Sequence, residues 1–207
     1  MAIKAILFNA EMVRAILEGR KSCTRKIVKP QQLIGMLPDK CKNGAPEKFL
    51  KEKKLMFKPY CDMTDIELIN TAYKAPYQPG DILYVRETWK KAPNGYYYYE
   101  DWQRNDIADV TKWKPSIRMP KEAARIWLKV TDVRVERLQE ISAESALAEG
   151  ADKYIHTNGG LDENMTITSF IGIWNSTIKK SDIDRYGWDA NPYVWIIEFE
   201  RCEKPEG

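Results

Sequence analysis

Short apolar segments separated by turn residues dominate the pattern of hydrophobic and polar positions along this chain. Five segments are rich in β-branched or aromatic residues, and each predicts a β-strand: 3–9, 78–89, 95–100, 124–138 and 192–202. These strands are short and are mostly not separated by regular helices, so they do not fit a parallel α/β sheet. The pattern favours a small, partly closed β-barrel.

Helical periodicity is confined mainly to the segments 10–19, 142–150 and 163–178. Gly19 and Gly150 stand at the ends of the first two, where glycine commonly ends a helix. In the third segment an apolar stripe recurs at helical spacing and predicts a buried face. Its members are Ile167, Phe170, Ile171, Trp174 and Ile178.

The longest strand segment changes phase in its middle. Leu128 and Val130 alternate on one face, but Val133 and Val135 join that face only if one extra residue lies between the two pairs. A β-bulge supplies such a residue. We therefore expect either a bulge or a turn at 131–132.

The order of the elements predicts a single α+β domain over residues 1–207, a mixed β-barrel flanked by helices. The segment 30–76 departs from this pattern, because it is rich in proline and lysine and shows no strong period. We predict that it is an insertion lying on the core domain, with a helix over 63–70.

Composition limits the possible functions. The chain has 33 lysines and arginines against 30 acidic residues, a net charge of +3, so nucleic-acid binding would have to come from local clustering. No apolar run approaches the roughly 20 residues that span a bilayer. The first twelve residues are too short and too polar for a signal peptide. We expect a cytoplasmic protein without a membrane partner.

The metal-binding residue types are sparse. Cys23, Cys41, Cys61 and Cys202 form no CxxC pair, and His156 is the only histidine of the sequence. This spacing does not match a zinc site. We therefore expect reduced cysteines, no metal and no other cofactor.

The stretch "GRKSCTRK" concentrates cations and hydroxyls at the end of the first helical segment. Lys21 and Thr24 are three residues apart, and a lysine made partly neutral by neighbouring charges can activate a threonine hydroxyl as a nucleophile. Arg20 and Arg25 would then hold an anion. The same residues also fit a clamp for phosphates or a solvated basic turn. The residues alone leave these three interpretations open.

A second group of candidates ends the strand segment 78–89. Arg86 and Glu87 fit either a role in a binding cleft or an ion pair at a strand edge. Trp89 fits either stacking on a nucleobase or packing in the core. By contrast, Trp174 and Trp195 lie in strongly apolar patterns, and we expect both in the core.

Four stretches together resemble the ASCH domain, a branch of the PUA-like superfamily, and in particular its larger phage and prophage members. "ILEGRKSCTRKIVKP" is similar to the family's GxKxxTxR-type signature, here Gly19, Lys21, Thr24 and Arg25. The others are "GDILYVRETW", "KPSIRMPKEAARIWLKVTDVRVERLQEISAESALAEG" and "WDANPYVWIIEFERC". They occur in the family's order and leave uncovered mainly 30–76 and 150–163.

The resemblance implies a PUA-like barrel with a cleft lined by the signature, and an association with RNA. Small bacterial ASCH proteins include amidohydrolases that deacetylate acetylcytidine. Their catalytic lysine, threonine and glutamate correspond to Lys21, Thr24 and Glu149, with Glu140 and Glu144 as alternative registers for the glutamate. We expect the three catalytic candidates to be partly exposed in one pocket. This chain is longer than those enzymes and carries the insertion.

Two functions follow from the resemblance. The first is an RNA- or nucleoside-directed amidohydrolase acting on an acylated cytosine. Lys21 would be the base, Thr24 the nucleophile or a hydroxyl donor, and Glu149 the group that orients the lysine or the substrate. RNA or nucleoside contacts would come from Arg20, Arg25, Arg86, Glu87 and Trp89. The alternative is a non-catalytic RNA-binding module or phage accessory protein. A structural accessory role, with the basic cluster as a solvated turn, is the third hypothesis.

Overall fold

The computed structural model of the chain describes residues 1–29, 64–103 and 112–205. Most of the predicted insertion, 30–63, therefore lies outside the described residues. In chain order the elements are β1 (Ile3–Leu7), α1 (Ala10–Leu17), β2 (Cys23–Ile27), α2 (Asp65–Ala72), β3 (Ile82–Arg86), β4 (Trp89–Ala92), β5 (Gly95–Tyr98), α3 (Tyr99–Gln103), β6 (Trp127–Arg137), α4 (Ala143–Ala148), α5 (Glu163–Thr177), α6 (Ile183–Tyr186) and β7 (Tyr193–Cys202).

A five-stranded mixed sheet in the order β1-β3-β6-β7-β2 organises the domain. Strands β1 and β3 are parallel, and the other neighbours are antiparallel. A separate two-stranded sheet is formed by β4 and β5. The predicted α+β class, a mixed sheet flanked by helices, is confirmed. Within the described ranges no ladder joins β1 to β2, so the barrel is open between these two edge strands.

The predicted bulge lies in β6. The register of β6 against β7 shifts between Val130 and Asp132. Because of this shift, Val130 and Val135 are both buried in one hydrophobic cluster, and Val133 packs against it. The bulge thus keeps the apolar positions of an eleven-residue strand on one side of the sheet.

Strand β7 separates two hydrophobic clusters, which explains why nearly all its central positions are apolar. Trp195 and Ile197 pack with β1, β3, β6 and α1 on one side. Val194 and Ile196 pack on the other side with α4 and α5, where Trp174 is also buried. The predicted core positions of Trp174 and Trp195, 5% and 6% exposed, are confirmed.

The second half of the basic stretch is the edge strand β2, whereas residues 19–22 form the turn before it. The solvated-turn interpretation is therefore wrong for residues 23–26. β2 pairs with β7 so that Thr24 lies opposite Ile197 and Lys26 opposite Trp195. Successive residues of a strand point to opposite faces. Thr24 and Lys26 therefore lie on the face of the sheet that carries Trp195 and Ile197. Arg25 points to the opposite face, toward α4 and α5.

Three helices frame this edge strand, and each begins at a side-chain cap. The α1 helix is capped by Asn9, α4 by Ser142 and α5 by Asp162. The side-chain oxygens of these residues accept hydrogen bonds from backbone N–H groups of the first turn.

None of the helices in the described ranges has the length and apolar composition of a membrane span.

Candidate functional site

A cleft of about 520 Å³ opens between the two edge strands of the sheet. We call it the edge cleft. Its walls are the end of β1 with the start of α1, residues 24–27 of β2, and the C-terminal half of α5. The lining residues are Leu7, Asn9, Met12, Thr24, Arg25, Lys26, Ile27, Lys29, Glu149, Phe170, Ile173, Trp174, Ser176, Thr177 and Ile178. The volume falls in the range of small-molecule sites, roughly 300–1,000 Å³.

The backbone of β2 contributes polar groups to this cleft. The Val28 N–H donates to the Tyr193 carbonyl at 3.0 Å, so the even-numbered residues of β2 bond to β7. In an antiparallel pair the intervening residues direct their N–H and C=O groups to the other side. The backbone groups of Arg25 and Ile27 therefore point toward the open edge, a direction from which they can bond to a ligand.

Lys21 lies behind the wall of the cleft and is fully shielded from solvent at its side chain. Its Nζ donates to the Cys23 carbonyl at 2.7 Å, to the Glu149 carbonyl at 2.9 Å and to Glu149 Oε2 at 2.7 Å. An ammonium has three donors, and here all three are used. The geometry fits a charged lysine that fixes β2 to the end of α4. It does not fit the expected role of Lys21 as a neutral base.

Gly150 makes this close approach possible. It follows the C-cap of α4 with φ of +94°, a conformation that side chains rarely adopt. A Cβ at this position would lie 3.1 Å from the Cβ of Ala15 and 3.7 Å from the Cβ of Lys21. The predicted helix end is thus also the place where α1, Lys21 and α4 meet.

Of the three candidate carboxylates, Glu149 is the one that contacts Lys21. Its Oε1 accepts from Arg25 Nη1 at 3.2 Å, so both carboxylate oxygens have cationic partners. Glu140 instead caps a turn through the N–H of Arg137. Glu144 lies in the first turn of α4. Glu149 is 5% exposed and lines the edge cleft.

Arg25 belongs to the same buried ion network. Its Nη2 donates to Ser145 Oγ at 3.1 Å and lies 4.0 Å from Glu136 Oε2, while its guanidinium covers the ring of Phe170 at 5.6 Å. Arg25 is 5% exposed and forms an ion pair with Glu149. This burial does not fit the expected grip on phosphates, because the positive charge is already neutralised inside the protein.

Thr24 stands on the wall of the edge cleft and is 4% exposed. Within the described part of the chain, no hydrogen bond joins its side chain to Lys21 or Glu149. The structure therefore brings Lys21 and Glu149 into direct contact and places Thr24 beside the pair, on the other face of β2 from Arg25. All three are more buried than the sequence led us to expect.

Lys26 is the functional candidate that sequence reasoning missed. It lines the edge cleft two residues after Thr24, on the same face of β2. Burial first, and then the charge of Lys21, lower the pKa of Lys26, while Glu149 acts in the opposite direction. No periodic signal in the sequence marks this position, because charged residues interrupt the apolar pattern of "CTRKIV".

Cys23 is not a candidate nucleophile. Burial, assisted by the nearby Glu149 carboxylate, raises the pKa of the Cys23 thiol to about 12. The thiolate is the reactive form of cysteine, so Cys23 is inert at neutral pH.

Arg20 lies at a different opening. It pairs with Glu18 at 2.7 Å and donates to the Gly150 carbonyl at 3.3 Å. It lines a smaller neighbouring cavity of about 260 Å³, which shares Glu149 with the edge cleft.

Glu87 lies in a separate ion cluster rather than in the edge cleft. It is 2% exposed and receives two hydrogen bonds from Arg125, each of 2.9 Å. Arg125 also bonds to Asp101 and covers the ring of Tyr98 at 4.1 Å. Burial raises the pKa of the Glu87 carboxyl, with Arg125 opposing. This is the ion-pair interpretation of Glu87, although its partner is distant in sequence.

Arg86 and Trp89 are also absent from the described lining of the edge cleft. Arg86 donates to the Ile117 carbonyl and to the Tyr84 hydroxyl. Trp89 is 5% exposed in a third hydrophobic cluster, and the Lys114 ammonium lies 4.9 Å from its ring centre. Trp89 therefore packs in the core instead of offering a face to a base.

Metal ligands do not cluster in the described ranges, where no three histidine, cysteine or acidic side chains are grouped to hold an ion. The carboxylates of the site are instead neutralised by lysine and arginine. The chemistry available at the edge cleft is that of a hydroxyl, an amine, a carboxylate and backbone amides.

Comparison with known proteins gives one solved structure to report. No protein-family model matches the chain, and no curated protein is similar to it. The chain is similar to the ASCH domain from Lactobacillus crispatus JV V101, with 11% sequence identity and a TM-score of 0.38 over 97% of this chain and 79% of that one.

Proposed function

We propose that the chain binds a nucleobase or nucleoside, free or within RNA, in the edge cleft and hydrolyses an amide on it. The observation that supports this most directly is the position of Thr24. Thr24 lines the edge cleft together with Lys26 and with Glu149, the partner of the buried Lys21. A hydroxyl next to an amine of lowered pKa is an arrangement suited to nucleophilic catalysis.

The lining of the cleft suits a nucleoside. A base needs donors and acceptors for its polar edge, and the backbone groups of Arg25 and Ile27 supply both. The apolar surfaces of α5, such as Ile173, suit the flat faces of the base. Lys29 lies at the same cleft and carries a cation that a phosphate group would contact.

The proposed reaction converts an acylated cytosine amine and water into cytosine and a carboxylate. Thr24 Oγ1 attacks the acyl carbon, and the bond from that carbon to the amine nitrogen breaks as the nitrogen takes up a proton. Water then attacks the acyl-threonine ester, which releases the carboxylate and restores the hydroxyl. Lys21 bonds to Glu149, which lines the edge cleft. In the proposed reaction Lys21 holds Glu149 in place and Glu149 borders the substrate.

The second candidate is a non-catalytic RNA-binding module. It is favoured by a cavity of about 430 Å³ that adjoins the edge cleft and shares Lys26, Ile27 and Lys29 with it. Lys74 adds another cation there. A strand of RNA placed across both cavities would meet several lysines, and its affinity would fall steeply with salt.

A hydrolysis assay tests the proposal. Purified protein is incubated with N4-acylated cytidines, free and within short RNAs, and the deacylated product is quantified by chromatography. We expect turnover by the wild type, a loss of roughly a hundred-fold or more for Thr24→Ala, and partial retention for Thr24→Ser. Thr168→Ala, an exposed change on α5, is the matched control.

Binding without turnover would contradict the hydrolase and support the binding module. That module predicts affinity for RNA without acyl groups, measured by fluorescence anisotropy over a range of salt concentrations. Neither turnover nor binding would contradict both functions.

A further inference from the structure

Two lysines flank Thr24 in the sequence, and their surroundings differ sharply. Lys21 Nζ has three acceptors and is closed off from the cleft. Lys26 lines the cleft, and among residues 1–29, 64–103 and 112–205 no hydrogen-bond or ion-pair acceptor reaches its amine. Partial burial makes the charged form of a lysine more costly, and this cost favours the neutral amine of Lys26.

Strand geometry places Lys26 next to the hydroxyl that needs a base. Residues two apart on a strand lie on the same face, roughly 7 Å apart along the chain. Thr24 and Lys26 are such a pair, opposite Ile197 and Trp195 of β7. The flexible four-carbon stem of lysine can span this separation.

The charges around Lys26 come from several elements. Lys21, from the turn before β2, and Glu149, from the end of α4, act on it with opposite signs. From its own strand and the loop that follows come Arg25, neutralised by Glu149, and Lys29. At the adjoining cavity, Lys74 adds a positive charge, and the phenols there are Tyr73 and Tyr77.

We infer that Lys26 is the base that takes the proton of the Thr24 hydroxyl in the reaction proposed above, and that Lys21 is a positioning residue. The inference rests on that proposed function. The proton moves from Thr24 Oγ1 to Lys26 Nζ as the bond from oxygen to the acyl carbon forms. Lys26 then gives this proton to the leaving amine nitrogen. In the second step it takes a proton from water and returns it to Thr24 Oγ1.

The protonation state of the Lys26 amine can be measured without any substrate. Wild-type protein is labelled briefly with trace acetic anhydride over pH 6 to 11, and each lysine is quantified by peptide mass spectrometry. Only the neutral amine reacts, so we expect the midpoint for Lys26 to lie below that of Lys129, an exposed lysine of β6. Lys21 should remain unlabelled while the protein is folded. A midpoint for Lys26 at or above that of Lys129 would overturn the inference.

The variants Lys26→Arg and Lys26→Met test the catalytic role. Arginine is of similar length but stays protonated, so it cannot accept a proton near neutral pH. We expect both variants to lose kcat by roughly a hundred-fold or more with little change in KM, whereas Lys129→Met keeps wild-type values. Circular dichroism identifies a variant that fails to fold. In that case the labelling midpoint of Lys26 in the wild-type protein decides whether Lys26 can act as the base.

The two proposals fail in different ways. Full turnover by Lys26→Arg would overturn the role of Lys26 and leave the hydrolase standing. A wild-type protein that hydrolyses no acylated nucleoside would overturn both.

Discussion

The Nζ of Lys21 and Oε2 of Glu149 lie 2.7 Å apart behind the wall of the edge cleft, and the Lys21 side chain is fully shielded from solvent. Lys21 ends the turn after α1, and Glu149 is the C-cap of α4. The pair therefore joins two elements that are distant in the sequence. It also gives both carboxylate oxygens of Glu149 a cation, because Arg25 binds the second one.

Removing this lysine should destabilise the fold. Lys21→Ala leaves the buried carboxylate of Glu149 with Arg25, at 3.2 Å, as its remaining cationic partner. Removing one member of a buried ion pair typically lowers the free energy of unfolding by about 3–5 kcal/mol. The exposed position expected from the sequence would have cost much less. The free energy of unfolding, measured by urea denaturation, checks this, with Lys129→Ala as the matched surface control. A cost below about 1 kcal/mol would show that the pair is not closed off from solvent.

Asp81 should give a pH-dependent contribution to stability. Burial alone would raise the pKa of Asp81, but hydrogen bonds from Lys4, Gln78 and Ala2 outweigh it and lower that pKa. A lowered folded-state pKa stabilises the protein above the unfolded-state value of 3.8, and this stability is lost as pH falls through the folded-state value.

We therefore expect Asp81→Asn to lower the free energy of unfolding by about 1 kcal/mol at pH 7, since the partly exposed Lys4 is screened by solvent. The difference from wild type should shrink as pH falls below 4. Urea denaturation of both proteins at several pH values measures it. A difference that is constant from pH 7 to pH 3 would contradict the assigned pKa shift.

The thiol of Cys23 should resist modification in the folded protein. Its pKa of about 12 leaves almost no thiolate at pH 8, and its side chain is buried. In a variant that carries serine at Cys41, Cys61 and Cys202, we expect a thiol reagent to react only after urea is added. Rapid reaction without urea would mean that β2 opens readily at the edge of the sheet.

The sequence predicted most of the sheet and helices because their periodicity is strong. The apolar run of β7 and the phase change of β6 have clear causes in packing, since β7 faces two clusters and β6 carries a bulge. Element ends agree to within a few residues, because glycines and cap residues mark them. The helix expected at 63–70 is observed as α2, Asp65–Ala72.

The site was harder to predict because its key strand carries charges. In β2 the residues that face the two clusters include Arg25 and Lys26, so hydrophobic periodicity gives no strand signal. The hydrogen-bond partners of Arg25, Ser145 and the carboxylate of Glu149, come from α4 and its C-cap, more than a hundred residues later. The family resemblance, not the physics of the local sequence, brought Lys21 and Glu149 into one site. It gave Glu149 an orienting role, not the close ion pair that the structure has. The Glu87–Arg125 pair likewise depends on the fold.

The central claim is that Thr24 is the nucleophile of an amide hydrolase in the edge cleft. The most direct measurement is mass spectrometry of the protein quenched in acid within the first turnovers on N4-acetylcytidine, followed by peptide mapping. The account predicts one acetyl group on the peptide that contains Thr24, and none on the same peptide of Thr24→Ala. Product formation at an undiminished rate by Thr24→Ala, without any acetyl group on Thr24 in the wild type, would contradict it.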